Sequence, residues 1–142
     1  MNEIHIRKFE EKDIENGFLE AQASLAETCD SKRAREIWVK IQNNPNQTIF
    51  VAERNHSIIG CHTVILEQKM IHDGGIVAHL EDLAVIEKFR REGVGKMLFL
   101  NSLDFARKSG CYKALHDCKK ELIPYYEKFG MRIHENSMRI DL

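Results

Sequence analysis

The sequence predicts an α/β fold in which a mixed central β-sheet carries helices on both faces. Three observations point there. Runs rich in β-branched and aromatic residues recur along the chain, amphipathic stretches with helical spacing lie between them, and the links alternate tight turns with longer crossovers. The order that follows is βααβββαβαβ(β). At 142 residues the chain fits one domain, residues 1–142, with enough material for an ordinary core.

Ile4 to Phe9 alternate as a strand does, and the acidic segment after them offers Asp13 as a cap before Ile14, Phe18, Ala21 and Leu25, which repeat at helical spacing. A second helix is expected after Asp30-Ser31, with Ala34, Ile37, Trp38 and Ile41 on its apolar face. Trp38 reads as core. Asn43 to Gln47 form a turn by their chemistry, Thr48 to Glu53 a strand, and Arg54 to Ser57 the next turn. Ile58 to Met70 is then a long strand, antiparallel to its predecessor. His72-Asp73-Gly74-Gly75 interrupts the meander, and Ile76 to Ile86, apolar on both faces, belongs inside the sheet. A helix with Phe99, Leu103 and Ala106 on one face closes at Arg107-Lys108 before Gly110. Cys111 to Cys118 is the next strand. Pro124 suits the first turn of a short helix ending at Gly130, and Met131 to Leu142 are expected to add one or two closing strands.

Composition excludes several classes of function. Hydrophobic residues make up 43% and charged residues 30%, and Lys+Arg 21 against Asp+Glu 22 leave a formal charge of -1, so no global basic field suggests nucleic acid. No apolar run approaches the roughly 18 residues of a membrane span, and the amino-terminal MNEIHIRKFEEKD is not a secretory leader. No membrane association and a cytoplasmic location are the expectations. Cys29, Cys61, Cys111 and Cys118 show no CxxC spacing, and the histidines form no HExxH. Reduced thiols and no metal are expected.

One stretch organises the chain: HLEDLAVIEKFRREGVGK, His79 to Lys96. It reads as strand, turn and helix start. Gly93 and Gly95 permit φ > 0 and close backbone approach, so N–H groups can converge where the helix dipole attracts an anion such as a diphosphate. Two familiar phosphate loops do not fit. The nucleoside-triphosphate loop needs a glycine where Arg90 stands and Ser or Thr where Met97 stands, and the dinucleotide fingerprint needs three glycines early in a βαβ unit. What is left is Arg90-x-x-Gly93-x-Gly95, which resembles the diphosphate loop of the GCN5-related N-acetyltransferase (GNAT) superfamily, whose donor is acetyl-CoA. Arg90, Arg91 and Lys96 suit an anionic donor.

The carboxy-terminal half sharpens the resemblance. GCYK at Gly110 to Lys113, HDC at His116 to Cys118 and YYEKFG at Tyr125 to Gly130, with GFLEAQASLAET and KMIH upstream, are similar in order and spacing to the glucosamine-6-phosphate N-acetyltransferase branch. The similarity spans nearly the whole chain. It implies the GNAT fold, acetyl-CoA as donor, and roles residue by residue. Leu83, Ala84 and Val85 would hold the acetyl arm, and Arg90, Arg91, Glu92, Gly93, Val94, Gly95 and Lys96 the diphosphate. Tyr126, Glu127 and Lys128 would lie beside the thioester. Glu81, Asp82, Tyr112, Lys113 and Asp117 match positions that contact an amino sugar, some across a dimer interface, so a homodimer is implied as well.

Acyl transfer to an amine needs a neutral, oriented nucleophile, an N–H donor for the oxyanion and a proton for the departing thiolate. Asp117 is the candidate to hold and polarise the amine, and Tyr126 the candidate acid. Each has a plainer alternative, Asp117 as a turn cap and Tyr126 as a core aromatic. Glu81 and Asp82 are adjacent, so strand alternation should turn them to opposite faces. Lys69, His72, Lys113 and Arg139 are candidates for binding a phosphate on the acceptor. Departures bear on that phosphate: Ala26 stands where the branch has Thr, Leu122 where it has Asn, and Asp141 where it has an Arg that binds phosphate, with Arg139 two residues away. The leading expectation is therefore an acetyl-CoA-dependent N-acetyltransferase of a small amine, preferably glucosamine 6-phosphate or a related amino sugar. Another acceptor (a polyamine, an amino acid or a protein amine) and a non-catalytic acyl-CoA-binding sensor are the alternatives.

Overall fold

Five strands form one sheet in sequence order, β1 (His5–Lys8), β2 (Gln47–Arg54), β3 (Ser57–Gln68), β4 (Ile76–Val85) and β5 (Cys111–His116), in a computed structural model that describes residues 3–142. The first four pair antiparallel and β5 joins β4 in parallel. The hairpin between β2 and β3 turns on Asn55 and His56, both at positive φ (51° and 63°), as a two-residue turn matched to strand twist requires.

Helices cover both faces, as the alternating and continuous apolar runs demand. On one face α3 (Val94–Lys108) buries Leu98, Phe99, Leu103 and Ala106 against Phe50, Val64, Ala78 and Leu80. Phe99 is fully buried, and truncating such a side chain costs about 3–5 kcal/mol. On the other face α1 (Phe18–Ala23) and α2 (Ser31–Gln42) close over Ile49, Val51, Ile58 and Cys61. Asp30 caps α2 by accepting from the Arg33 amide at 2.8 Å, and Trp38 packs edge-on against Phe9 with centroids 4.7 Å apart. The short α4 (Ile123–Glu127) carries Pro124 in its first turn.

Two expectations are corrected. The helix foreseen from Asp13 through Leu25 is broken into a 3-10 turn at Glu11–Glu15 and α1, because Gly17 adopts φ 101° and a Cβ there would lie 2.3 Å from the Ile58 carbonyl oxygen. Asp13 is not a helix N-cap. It is buried, accepts from the Glu10 amide at 2.8 Å and forms a bidentate pair with Arg7, both N···O distances 2.7 Å. The closing strands expected from Met131 to Leu142 are also not formed. Met138, Ile140 and Leu142 keep the two-residue alternation of a strand, but their side chains are exposed and no described residue covers that face. The sheet of the described residues ends at β5.

Candidate active site

The β4–β5 ladder is short. It runs from Ile76 opposite Cys111 to Leu80 opposite His116, so the edge of β4 from Glu81 to Val85 that should face β5 has no strand beside it. His116 marks the parting. Its Nδ1 donates to the Leu80 carbonyl at 3.0 Å, the side chain prolonging the ladder by one bond. Burial lowers the His116 pKa, against the opposing pull of the Leu80 hydrogen bond and the Asp117 charge. Beyond this point an extended ligand can lie between β4 and β5 and meet the unpaired backbone of β4.

At the same opening β4 feeds the glycine loop. Gly93 has φ 83° and precedes α3, whose first intrahelical backbone bond runs from the Met97 amide to the Gly93 carbonyl. The amides of Val94, Gly95 and Lys96 therefore have no helical acceptor, and no side chain caps them. A Cβ at Gly93 would meet nothing within 4 Å, and one at Gly95 would stand 3.7 Å from the Tyr125 hydroxyl and 3.8 Å from Val85. Open space with free amides and a helix N-terminus fits a diphosphate. Gly95 itself does not need positive φ. Arg91 does adopt it, at 67°, which the sequence did not signal. Arg90 is exposed, but its Nε donates to the Val85 carbonyl at 3.2 Å, tying loop to strand end, while Arg91 and Lys96 are exposed without an ion pair among the described residues. Glu127 and Lys128 are also exposed.

The other side of the opening is acidic. Pairing of β3 with β4 shifts between Cys61 opposite Ala84 and Thr63 opposite Glu81, and Asp82 takes φ 54°, so a β-bulge breaks the alternation that should have separated Glu81 from Asp82. Glu81 is pushed up from the usual carboxylate range by burial first and then by the charges of Asp117 and Asp82. Asp117 lies exposed just past the end of β5. Tyr126 is buried, its ring 4.4 Å from His116 and 5.1 Å from Phe99 by centroids, and its phenol is pushed up to about 12, mainly by burial and further by Tyr125 and Cys118.

The cationic set divides differently. Tyr112 and His72 stack with centroids 4.7 Å apart at the start of β5, five residues from Asp117, a span of roughly 16 Å along a strand. One small acceptor cannot touch both ends within a single chain. Most of the cations also have partners: Lys69 pairs with Glu67 at 2.5 Å, Arg139 with Asp141 at 2.7 Å, and Lys113 approaches His134 at 3.5 Å. Tyr125 and His116 entered no sequence prediction, although both sit inside the quoted motifs. Among the described residues no cluster of three or more His, Cys, Asp or Glu is arranged to hold a metal, and no helix is long and apolar enough to cross a membrane.

Known proteins resemble this chain in sequence and in fold. The chain is 33% identical over 118 residues to a glucosamine 6-phosphate N-acetyltransferase of Trypanosoma brucei brucei, covering 83% of this chain and 75% of that one. It is 32% identical over 131 residues to the glucosamine 6-phosphate N-acetyltransferase of Arabidopsis thaliana, covering 89% and 88%. The crystal structure of glucosamine-6-phosphate N-acetyltransferase from Arabidopsis thaliana superposes with a TM-score of 0.93 at 28% identity, covering 98% of each chain. Residues 12–131 match the acetyltransferase (GNAT) family, and with the parted strands, the uncapped glycine loop and the placement of Tyr126, the chain belongs to that family.

Proposed function

We propose that this acetyltransferase moves the acetyl group of acetyl-CoA to the amine of glucosamine 6-phosphate or a closely related amino sugar, by direct attack on the thioester. The observation that carries the reading is the opening between β4 and β5, which has free loop amides at one side and the Glu81, Asp82 and Asp117 carboxylates with Tyr126 at the other. The names of the relatives support the sugar. Loop amides with Arg91 and Lys96 would bind the donor's diphosphate, and the unpaired edge of β4 at Leu83, Ala84 and Val85 would hold its arm. When bound, the donor supplies an activated thioester carbonyl. Asp117 would orient the acceptor amine, and Tyr126, whose high pKa holds its proton throughout the neutral range, would give that proton to the departing sulfur.

The acceptor phosphate is where this chain differs. Lys69 and Arg139 are paired with Glu67 and Asp141, which reduces the positive charge left for a phosphate. This favours a second reading, in which the amine is accepted with or without its phosphate. Steady-state kinetics with glucosamine 6-phosphate, glucosamine and a polyamine, reading released thiol, tests both. Turnover of the sugars but not the polyamine is expected, with a kcat/KM preference for the phosphorylated sugar below about 10³-fold, worth roughly 4 kcal/mol. A larger preference would remove the second reading, and no turnover of either sugar would remove the first.

We also infer a homodimer. The roughly 16 Å between Tyr112 and Asp117 leaves the acceptor set divided within one chain, and a second copy bringing its own Tyr112, Lys113 and Arg139 region to the Asp117 end would complete it. The open edge of β5 and the exposed alternation of Met138, Ile140 and Leu142 supply complementary strand surfaces for such a pairing.

A further inference from the structure

Glu92 is out of place. It is the only carboxylate between Arg90 and Lys96, in a loop whose amides and cations suit a diphosphate, and an unpaired negative charge there would oppose the ligand. The structure pairs it. Arg54, at the end of β2, donates from Nη1 to Glu92 Oε2 at 2.5 Å, across 38 residues of sequence. The Arg54 side chain is only 15% exposed, and its guanidinium lies 4.5 Å from the Phe89 ring centroid, so it is held by stacking on the segment that leads into the loop.

We propose that Arg54 is a positioning residue for donor binding: it neutralises Glu92 and pins that carboxylate, so that the loop presents amides and unopposed cations to the diphosphate. The inference rests on the placement of the donor's diphosphate at Arg90 to Lys96. Because Arg54 comes from the tip of the β2–β3 hairpin, it also couples the outer sheet to the loop. Arg54 does not need to touch the donor for this effect.

The test is a double-mutant cycle on acetyl-CoA affinity, measured by calorimetry on full-length protein, with thermal unfolding of each variant recorded without donor. Arg54→Met should raise Kd roughly tenfold or more, and Arg54→Met with Glu92→Gln should return it to within about threefold of the parent. The loss should shrink at high salt, since it is electrostatic. It should also appear in KM for acetyl-CoA and not for S-acetylpantetheine, which has no diphosphate, whereas a purely structural role would move both. The charge swap Arg54→Glu with Glu92→Arg covers the case in which Arg54→Met folds poorly, and should bind donor better than Arg54→Glu alone. An unchanged Kd in Arg54→Met, or a loss that Glu92→Gln does not recover, overturns the proposal. Gly93→Asp separates the underlying reading: if it too leaves Kd unchanged, the diphosphate is bound elsewhere; if it weakens binding while Arg54→Met does not, the loop stands and only the Arg54 role falls.

Discussion

The surroundings of Tyr126 suit the role proposed for it. Phe99 and His116 fix the ring, and burial holds the phenol protonated with a pKa of about 12. Tyr126→Phe keeps the packing and removes only the proton, so turnover should fall roughly 10²-fold or more while acetyl-CoA affinity changes little. Full activity in that variant would make Tyr126 a core aromatic. Tyr126 and Asp117 could be named as candidates because the motifs that hold them are local in sequence. His62 could not, since nothing in its flanking sequence announces burial. Its Nδ1 meets the Ser102 hydroxyl at 2.8 Å, its Nε2 has no partner, and burial, with the charge of His116, lowers its pKa to about 4. The unfolded chain therefore takes up a proton that the native state refuses as pH falls below 6.5. His62 costs no stability above that pH and progressively more toward 4, about 2 kcal/mol by pH 5. Urea unfolding at pH 7 and pH 5 should show this loss in the parent and a smaller one in His62→Gln; equal losses would assign the acid sensitivity to other groups.

At the scale of elements, the sequence was most readable where one local rule decided the outcome. Asp30 caps α2 because an acceptor before an apolar stripe has little else to do, and Asn55-His56 make the hairpin because such residues tolerate positive φ. The bulge at Asp82 was hidden, because an extra residue in one strand is defined by its neighbour's register and leaves no mark on an apolar run. Gly17 was hidden in the same way: the helical spacing continues across it, and only the closeness of Ile58 forces the break. Asp13 shows how such a break is held. Its carboxylate is fully buried and depends on Arg7, which also reaches Glu53 at 2.5 Å and so ties β1, the 3-10 turn and β2 together. Arg7→Met would strand that carboxylate and should destabilise the fold by about 3–5 kcal/mol in urea unfolding. A loss below about 1 kcal/mol would mean that water replaces the guanidinium.

Over the whole molecule, the sequence carried the layer order and not the completion of the site. Periodicity reports which face of an element is apolar, but not whether the covering surface belongs to the same chain. Met138, Ile140 and Leu142 therefore read as part of the closing strands although their side chains are exposed, and Tyr112 and Asp117, both read as acceptor positions with some contacts made across a dimer interface, stand at opposite ends of β5. The proposed second copy would address both by covering the apolar alternation and bringing the second half of the acceptor set to the first. Sedimentation equilibrium of the parent should then give twice the monomer mass. Ile140→Asp places a charge within the proposed interface at a position largely exposed in the isolated chain, and should weaken the dimer by roughly 30-fold or more, the scale of losing one anchoring side chain. Acceptor kcat/KM should fall as the variant is diluted and recover at high protein concentration, while acetyl-CoA affinity stays level, because the glycine loop lies wholly within one chain. A monomeric parent, or an Ile140→Asp monomer with undiminished acceptor kcat/KM, would show that one chain completes the acceptor site alone.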